Sequence, residues 1–486
     1  MKFMSSNEIK EKCIEQYGKQ KNRWKNNFHF DAPFGLINDP NGLSYYNGEY
    51  YIFFQWNPYG CEHKYKHWGV TKTKDFKSFK VPNVALIPNN IYDKDGCYSG
   101  SGIVKNGNLE LFYTGNVKDE NNNRESYQCK AVMKSDGSIE KLGPVIHKIP
   151  NGYTAHFRDP YVFKKNGKYY MILGIQTKDL KGKIVIYTSD DTQNWNFEGE
   201  VKTKFNDFGF MWECPALFEL NDKDVLVISP QGLKEEEFKY QNIYQSGYII
   251  GKFNYDNLSF LGDDFYELDK GFDFYAPQVF KDDRGRTILI GWMGLPEKEK
   301  FHSSCDDGWV FSLTMPREIT IKNNMLYQKP LSEIRELRLD NILSLKNKRL
   351  DNFMFSDIKE NSYELYLEIE KLKSNNIELN ITLGVNEYFT IKYDFKNNEC
   401  ILDRNNMILG EKGLRKFKLD NNCILKLNIF VDKSAIEIFF DDGKFVASTK
   451  IYPKESESKI EIKSEKDNIN IKELKIWNMR GVEYFE

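Results

Sequence analysis

Nowhere does the 486-residue chain hold about 18 consecutive apolar residues, so no membrane-spanning helix is expected. It has almost no net charge. Lys and Arg number 69 against 71 Asp and Glu, leaving a formal −2 that offers no long-range pull on nucleic acid or an anionic membrane. Histidine is scarce: His29, His63, His67, His147, His156 and His302 show no metal-ligand spacing, so no metal site is expected. The eight cysteines (13, 61, 97, 129, 214, 305, 400 and 423) include no CxxC pair. They read as reduced thiols, not as a disulfide frame or zinc cage. The first 27 residues lack the apolar core of a secretory signal, and with the thiols this points to a cytoplasmic protein.

What the chain does have is aromatic residues, 15% of the total, with 29 Tyr and 35 Phe. Aromatics suit half-buried strands and also make platforms for sugar rings, with strand packing accounting for most of them. One helix is expected, over residues 5–20. There Ser5 and Glu8 have capping-box spacing, and Ile9, Cys13, Ile14 and Tyr17 share a face. It reads as a packing appendage, residues 1–27, on the main domain. Beyond it, YYNGEYYIFFQ, VKNGNLELFYTG, FKKNGKYYMILG, FELNDKDVLVIS and KDDRGRTILIGW each read as strand, polar turn and strand. Their turns recur roughly every 55–63 residues, a period that suits one four-stranded propeller blade per repeat. The fold class expected is therefore all-β: a five-bladed β-propeller over 28–330, then a charged connection over 331–350. Alternating segments such as SYELYLEIEKL, IELNITLGV and AIEIFFDD make residues 351–486 an antiparallel β-sandwich with a structural task.

Three acids lie beside a proline or glycine in aromatic-rich surroundings. Asp39 stands in FGLINDPNGL, where the following proline restricts its backbone and Asn41-Gly42 is expected to turn the chain sharply. Asp159 stands in HFRDPYVF with Arg158 beside it to orient a carboxylate or hold a hydroxyl. Glu213 stands in GFMWECPALF, apolar surroundings of the kind that keep a general acid protonated. A lone Asp-Pro most often caps a turn. Acids at similar places in successive repeats can instead meet at one end of a propeller channel, and paired carboxyl groups are the apparatus of glycoside hydrolysis.

HFDAPFGLINDPNGL, FFQWNP, HWG, CYSGSG, FRDP, ECP, FDFYAPQ, GWMG, LTMPREI and VDKSAIEIFF occur in this order over residues 29 to about 453. In this the chain resembles the glycoside hydrolase family 32 enzymes, and its N-terminus is similar to that of the intracellular branch acting on sucrose 6-phosphate. The resemblance implies a retaining β-fructofuranosidase working by double displacement on sucrose 6-phosphate or sucrose, with carboxyl groups about 5–5.5 Å apart and no metal or organic cofactor. It implies Asp39 as nucleophile, Glu213 as acid and base, and Asp159 as transition-state stabiliser with Arg158 near the acid. Asn38, Gln55, Trp68, Tyr98, Ser99, Tyr275 and Trp292 match its sugar-binding positions.

The sequence departs from the family pattern where Leu36-Ile37 replace the usual Trp-Met, a change expected on the leaving-group side, and where Val70 replaces a histidine. Cys214, next to the acid, is either a packing thiol or an influence on that acid. Lys64, Lys66 and Lys72 are candidates for a substrate phosphate, against the commoner role of solvated surface. Levan or inulin hydrolysis, or fructosyl transfer, is the alternative activity, and a non-catalytic sugar-binding propeller the remote one. The expected partner is a small sugar, with no nucleic acid or membrane, and the protein a monomer or homodimer.

Overall fold

A computed structural model describes residues 3–18, 23–370, 376–465 and 468–486. The expected helix forms over Ser6–Gly18, and positions 19–20 of the expectation lie outside the described residues. Its capping box is closed both ways: the Glu8 N–H donates to Ser5 Oγ (3.3 Å) and the Ser5 N–H to the Glu8 carboxylate (2.6 Å). Ile9 and Cys13 are buried against the first sheet.

Up to residue 330 the chain builds five sheets in succession, each around four antiparallel strands; in the fifth, the short strands Trp309–Val310 and Ser312–Leu313 come between the second and third. Their first, innermost strands are Gly35–Tyr46, Cys97–Lys105, Tyr153–Lys165, Met211–Leu220 and Tyr275–Lys281. In four of the five, the turn after the inner strand has two residues in the left-handed region: Asn47-Gly48, Asn106-Gly107, Asn166-Gly167 and Asn221-Asp222. That geometry matches the twist of the flanking strands, and Asn, Asp and Gly adopt it at least cost. The inner strands touch one another in a ring, first to second and onward, with the fifth returning to the first. Trp309–Val310 adds to the ring by pairing in parallel with Gly35 and Leu36.

The rest of the chain forms two six-stranded antiparallel sheets enclosing an aliphatic core, a β-sandwich. Residues 331–350 are not a plain connection. They hold a 3-10 turn, Ser332–Leu337, and a strand, Arg338–Leu350, that pairs with Ile469–Met479 at the edge of the first sandwich sheet. The charged side chains that suggested a linker are the exposed residues of that edge, where charge discourages pairing with another chain. The chain end then returns to the first of the five sheets, Glu483–Phe485 pairing with Ser78–Lys80.

Ion pairs without solvent contact join the two halves. His29 lies between Asp432 (3.0 Å) and Glu437 (3.1 Å), and Arg317 bridges Glu437 (2.7 Å) and Asp269 (3.3 Å).

Candidate active site

Every inner strand carries a bulge. Two residues on it face one on its neighbour: Asn38-Asp39, Tyr98-Ser99, Asp159-Pro160, Cys214-Pro215 and Ala276-Pro277. A bulge bends the strand and re-aims the side chains around it. Asp159, Cys214 and Ala276 take positive φ there (65°, 46° and 46°), strain on the order of 1–3 kcal/mol each of the kind concentrated at functional sites.

The bulges correct two expectations about the acids. Asn41-Gly42 does not turn the chain back: it lies inside the same strand as Asp39, and the hairpin falls later, at Asn47-Gly48. Nor are the two Asp-Pro pairs equivalent. Asp159 is the first bulge residue of its strand, Asp39 the second of its own, and Glu213 directly precedes a bulge.

Asp39 and Asp159 meet at Cys214, whose Sγ lies 3.7 Å from a carboxylate oxygen of each. Asp39 accepts from Asn38 Nδ2 (2.9 Å) and from the Ser99 hydroxyl. Asp159 accepts from the Cys214 N–H at 2.9 Å. Burial pushes the Asp159 carboxyl up to about 7; Arg158 opposes the rise, and the charges of Glu213 and Asp39 add to it.

Glu213 is not in apolar surroundings. Arg158 donates to its Oε1 from Nε (2.9 Å) and Nη2 (2.7 Å), while Gln231 Nε2 and the Tyr275 hydroxyl donate to Oε2 at 2.7 Å each. The apolar neighbours in its sequence, Met211 and Trp212, are core residues instead. Four donors fix this carboxyl in one orientation, and burial with the Glu213 charge holds the Tyr275 phenol protonated.

The remaining expected residues divide between support for the acids and core. Gln55 joins Asn38 to Ser99, linking the first two inner strands behind Asp39. Trp68 is fully buried, and its indole N–H supports the Tyr98 carbonyl at 2.9 Å. Leu36 and Ile37 have no exposed surface and pack in the main hydrophobic cluster, so neither walls an open cavity. Trp292 is buried edge-on to Tyr275 and to His63, with ring centroids 6.4 and 5.6 Å apart.

Sequence reasoning missed Gln231 and misjudged Lys66. Gln231 pairs with Met211 across the hairpin, one diagonal from Glu213, so counting back from the Asn221-Asp222 turn would have found it. Lys66, far from solvated, is buried and donates to Asn38 Oδ1 and to His63 Nδ1 (2.7 Å), with His63 in turn on Glu299. Burial pushes its ammonium down to about 7, and Asp39 and Glu299 hold it up. No linear pattern marks it. Among the described residues there is no cluster that could hold a metal ion.

Residues 29–330 match the glycosyl hydrolases family 32 N-terminal domain, and residues 333–478 the family 32 C-terminal domain. The chain belongs to glycosyl hydrolase family 32. It is 40% identical to a sucrose-6-phosphate hydrolase of Bacillus subtilis over 88% of this chain and 89% of that one. A sucrose-6-phosphate hydrolase of Staphylococcus xylosus is 37% identical over 99% and 98%. Among solved structures, the sucrose-6-phosphate hydrolase of Lactobacillus gasseri superimposes with a TM-score of 0.89 at 32% identity, covering 98% and 97% of the two chains. A mutant family 32 β-fructofuranosidase of Bombyx mori in complex with sucrose gives 0.85 at 29%, covering 99% of each.

Proposed function

We propose that this family 32 hydrolase cleaves the β-fructofuranosidic bond of sucrose 6-phosphate or sucrose by double displacement with retention. The observation that carries the reading is the pairing of two differently held acids: Asp39 steadied by Asn38 and Ser99, and Glu213 gripped by Arg158, Gln231 and Tyr275. Asp39 attacks the anomeric carbon of the fructosyl unit while Glu213, acting from its protonated form with one of its four donors displaced, gives that proton to the departing oxygen. Glu213 then takes a proton from water, which attacks the same carbon and frees Asp39. Asp159 accepts hydrogen bonds from fructosyl hydroxyls, which strengthen as positive charge develops on the ring. Tyr275, with Trp292 packed edge-on against it, holds Glu213 in place.

The same reading takes the five sheets as blades of a propeller, supported by their four-strand repeats and the ring of inner-strand contacts. It assigns residues 28–330 to this catalytic unit and starts the sandwich near Ser332. A cytoplasmic location is in keeping with eight free thiols, two of them, Cys61 and Cys305, side by side.

Asp39→Asn removes the nucleophile. Glucose release from sucrose is expected to fall by roughly 10⁴-fold or more with the far-UV circular dichroism unchanged. Substantial remaining activity would sink the assignment. Proton NMR of the first-formed fructose anomer tests retention, and comparing sucrose, sucrose 6-phosphate and inulin tests the substrate.

A further inference from the structure

The lysines that the sequence offered for a phosphate are already committed. Lys64 pairs with Glu62 at 2.6 Å, Lys72 pairs with Glu49, and Lys66 is buried on Asn38 and His63. Arg158 is equally occupied. Its Nε and Nη2 are on Glu213, and its Nη1 donates to His156 Nδ1 at 2.9 Å.

One guanidinium beside these groups is uncommitted. Arg124 opens the third strand of the second sheet, half-buried, with its guanidinium 5.5 Å from the centre of the Tyr98 ring. Among the described residues no carboxylate pairs with it. Tyr98 belongs to the same bulge as Ser99, the hydroxyl on Asp39, so Arg124 lies over the ring next to that contact. His156, on the next inner strand, is exposed and close enough to Arg124 to feel its charge. Because His156 Nδ1 accepts from Arg158, its Nε2 is left as an outward donor. Partial desolvation of the ring, then the charges of Arg158 and Arg124, push this imidazole down to about 4, so it stands neutral.

We propose that Arg124, flanked by Tyr98 and His156, seats the phosphate monoester of a phosphorylated leaving group. This rests on the reading of the site as a β-fructofuranosidase and deepens it. The leaving oxygen belongs to the Glu213 side, where Arg158 is on Glu213, His156 is on Arg158, and Arg124 is near enough to His156 for its charge to act there. A planar guanidinium without a carboxylate partner among the described residues is well shaped for two hydrogen bonds to one phosphate. The order of events on the fructosyl side is unaffected: the site adds affinity for one substrate over its unphosphorylated analogue.

The test compares kcat/KM for sucrose 6-phosphate and for sucrose. Wild-type protein is expected to prefer the phosphorylated sugar, and Arg124→Ala to cut that ratio by roughly 10- to 100-fold, the size of one charge-assisted contact. Arg124→Lys should keep part of it. A second measurement does not depend on any variant folding: glucose 6-phosphate should inhibit wild-type sucrose hydrolysis at far lower concentration than glucose. Equal inhibition by the two sugars, or a substrate ratio within about twofold in Arg124→Ala, overturns the inference while leaving the β-fructofuranosidase reading intact. Failure of wild type to cleave either sugar overturns both.

Discussion

Burial pushes the Asp159 carboxyl up to about 7, whereas an unfolded aspartate titrates near about 3.9. The folded protein therefore holds a proton that the unfolded chain has released, and the sign of the linkage follows. Below about pH 4 the group costs nothing; the cost grows as pH rises and is complete above about 7. Asp159→Asn removes it. The variant should melt above wild type at pH 8, with the gap closing towards pH 4, and its kcat on sucrose should fall roughly 100-fold or more. A melting gap independent of pH would sink the buried-carboxyl account. Lys66 makes a second prediction at this scale. It acts through Asn38, so it is a positioning residue, and Lys66→Met should lower kcat roughly 10- to 100-fold while KM stays within about threefold. A change confined to KM would place Lys66 on the substrate instead.

At the scale of elements, the bulge is what turns a strand into a holder of acids. It works only if the sheets approach closely, and glycine sets that approach. Gly174 is the cross-strand partner of Arg158, and a Cβ there would come 1.9 Å from the Trp212 carbonyl, the residue before Glu213. Gly174→Ala must push the third and fourth sheets apart exactly where Arg158 reaches Glu213. A stability loss of roughly 2–4 kcal/mol is expected from urea unfolding, with a fall in kcat in the folded fraction. Full activity with unchanged stability would mean that the sheets can shift without moving the acid.

For the whole molecule, the joint between the halves is electrostatic and pH-sensitive. Burial alone would lower the His29 pKa; hydrogen bonds and charge from Asp432 and Glu437 reverse this and raise it to about 9. A raised folded pKa means that the contribution is fully present below about pH 6.5 and disappears as pH rises through about 9. Melting temperature should therefore drop between pH 7 and 10 in wild type. His29→Gln should start lower and lose less over that range, because the uncharged amide has no proton to give up. Parallel pH curves for the two would remove His29 from the joint. The same ion pairs tie the sandwich, which carries none of the proposed reacting groups, to the half that does: Glu437 reaches both His29 and Arg317.

Local chemistry made much of this protein legible in its sequence. Asn-Gly and Asn-Asp pairs favour left-handed turns by their own conformational preferences, so the hairpins and their spacing could be read without tertiary information. The capping box closes within one helical turn, and the sandwich strands announced themselves by alternation. The acids in NDPNG, RDP and ECP could be read as motifs. What only the tertiary structure decided is how distant strands face one another. Lys66 reads like surface and Glu213 like an acid in oil, because burial and hydrogen bonding depend on what other sheets bring within a few ångströms. Leu36-Ile37 proved to be core for the same reason. The acids stand at three different positions around their bulges, and no spacing along the chain encodes how a ring of five inner strands aims them at one place.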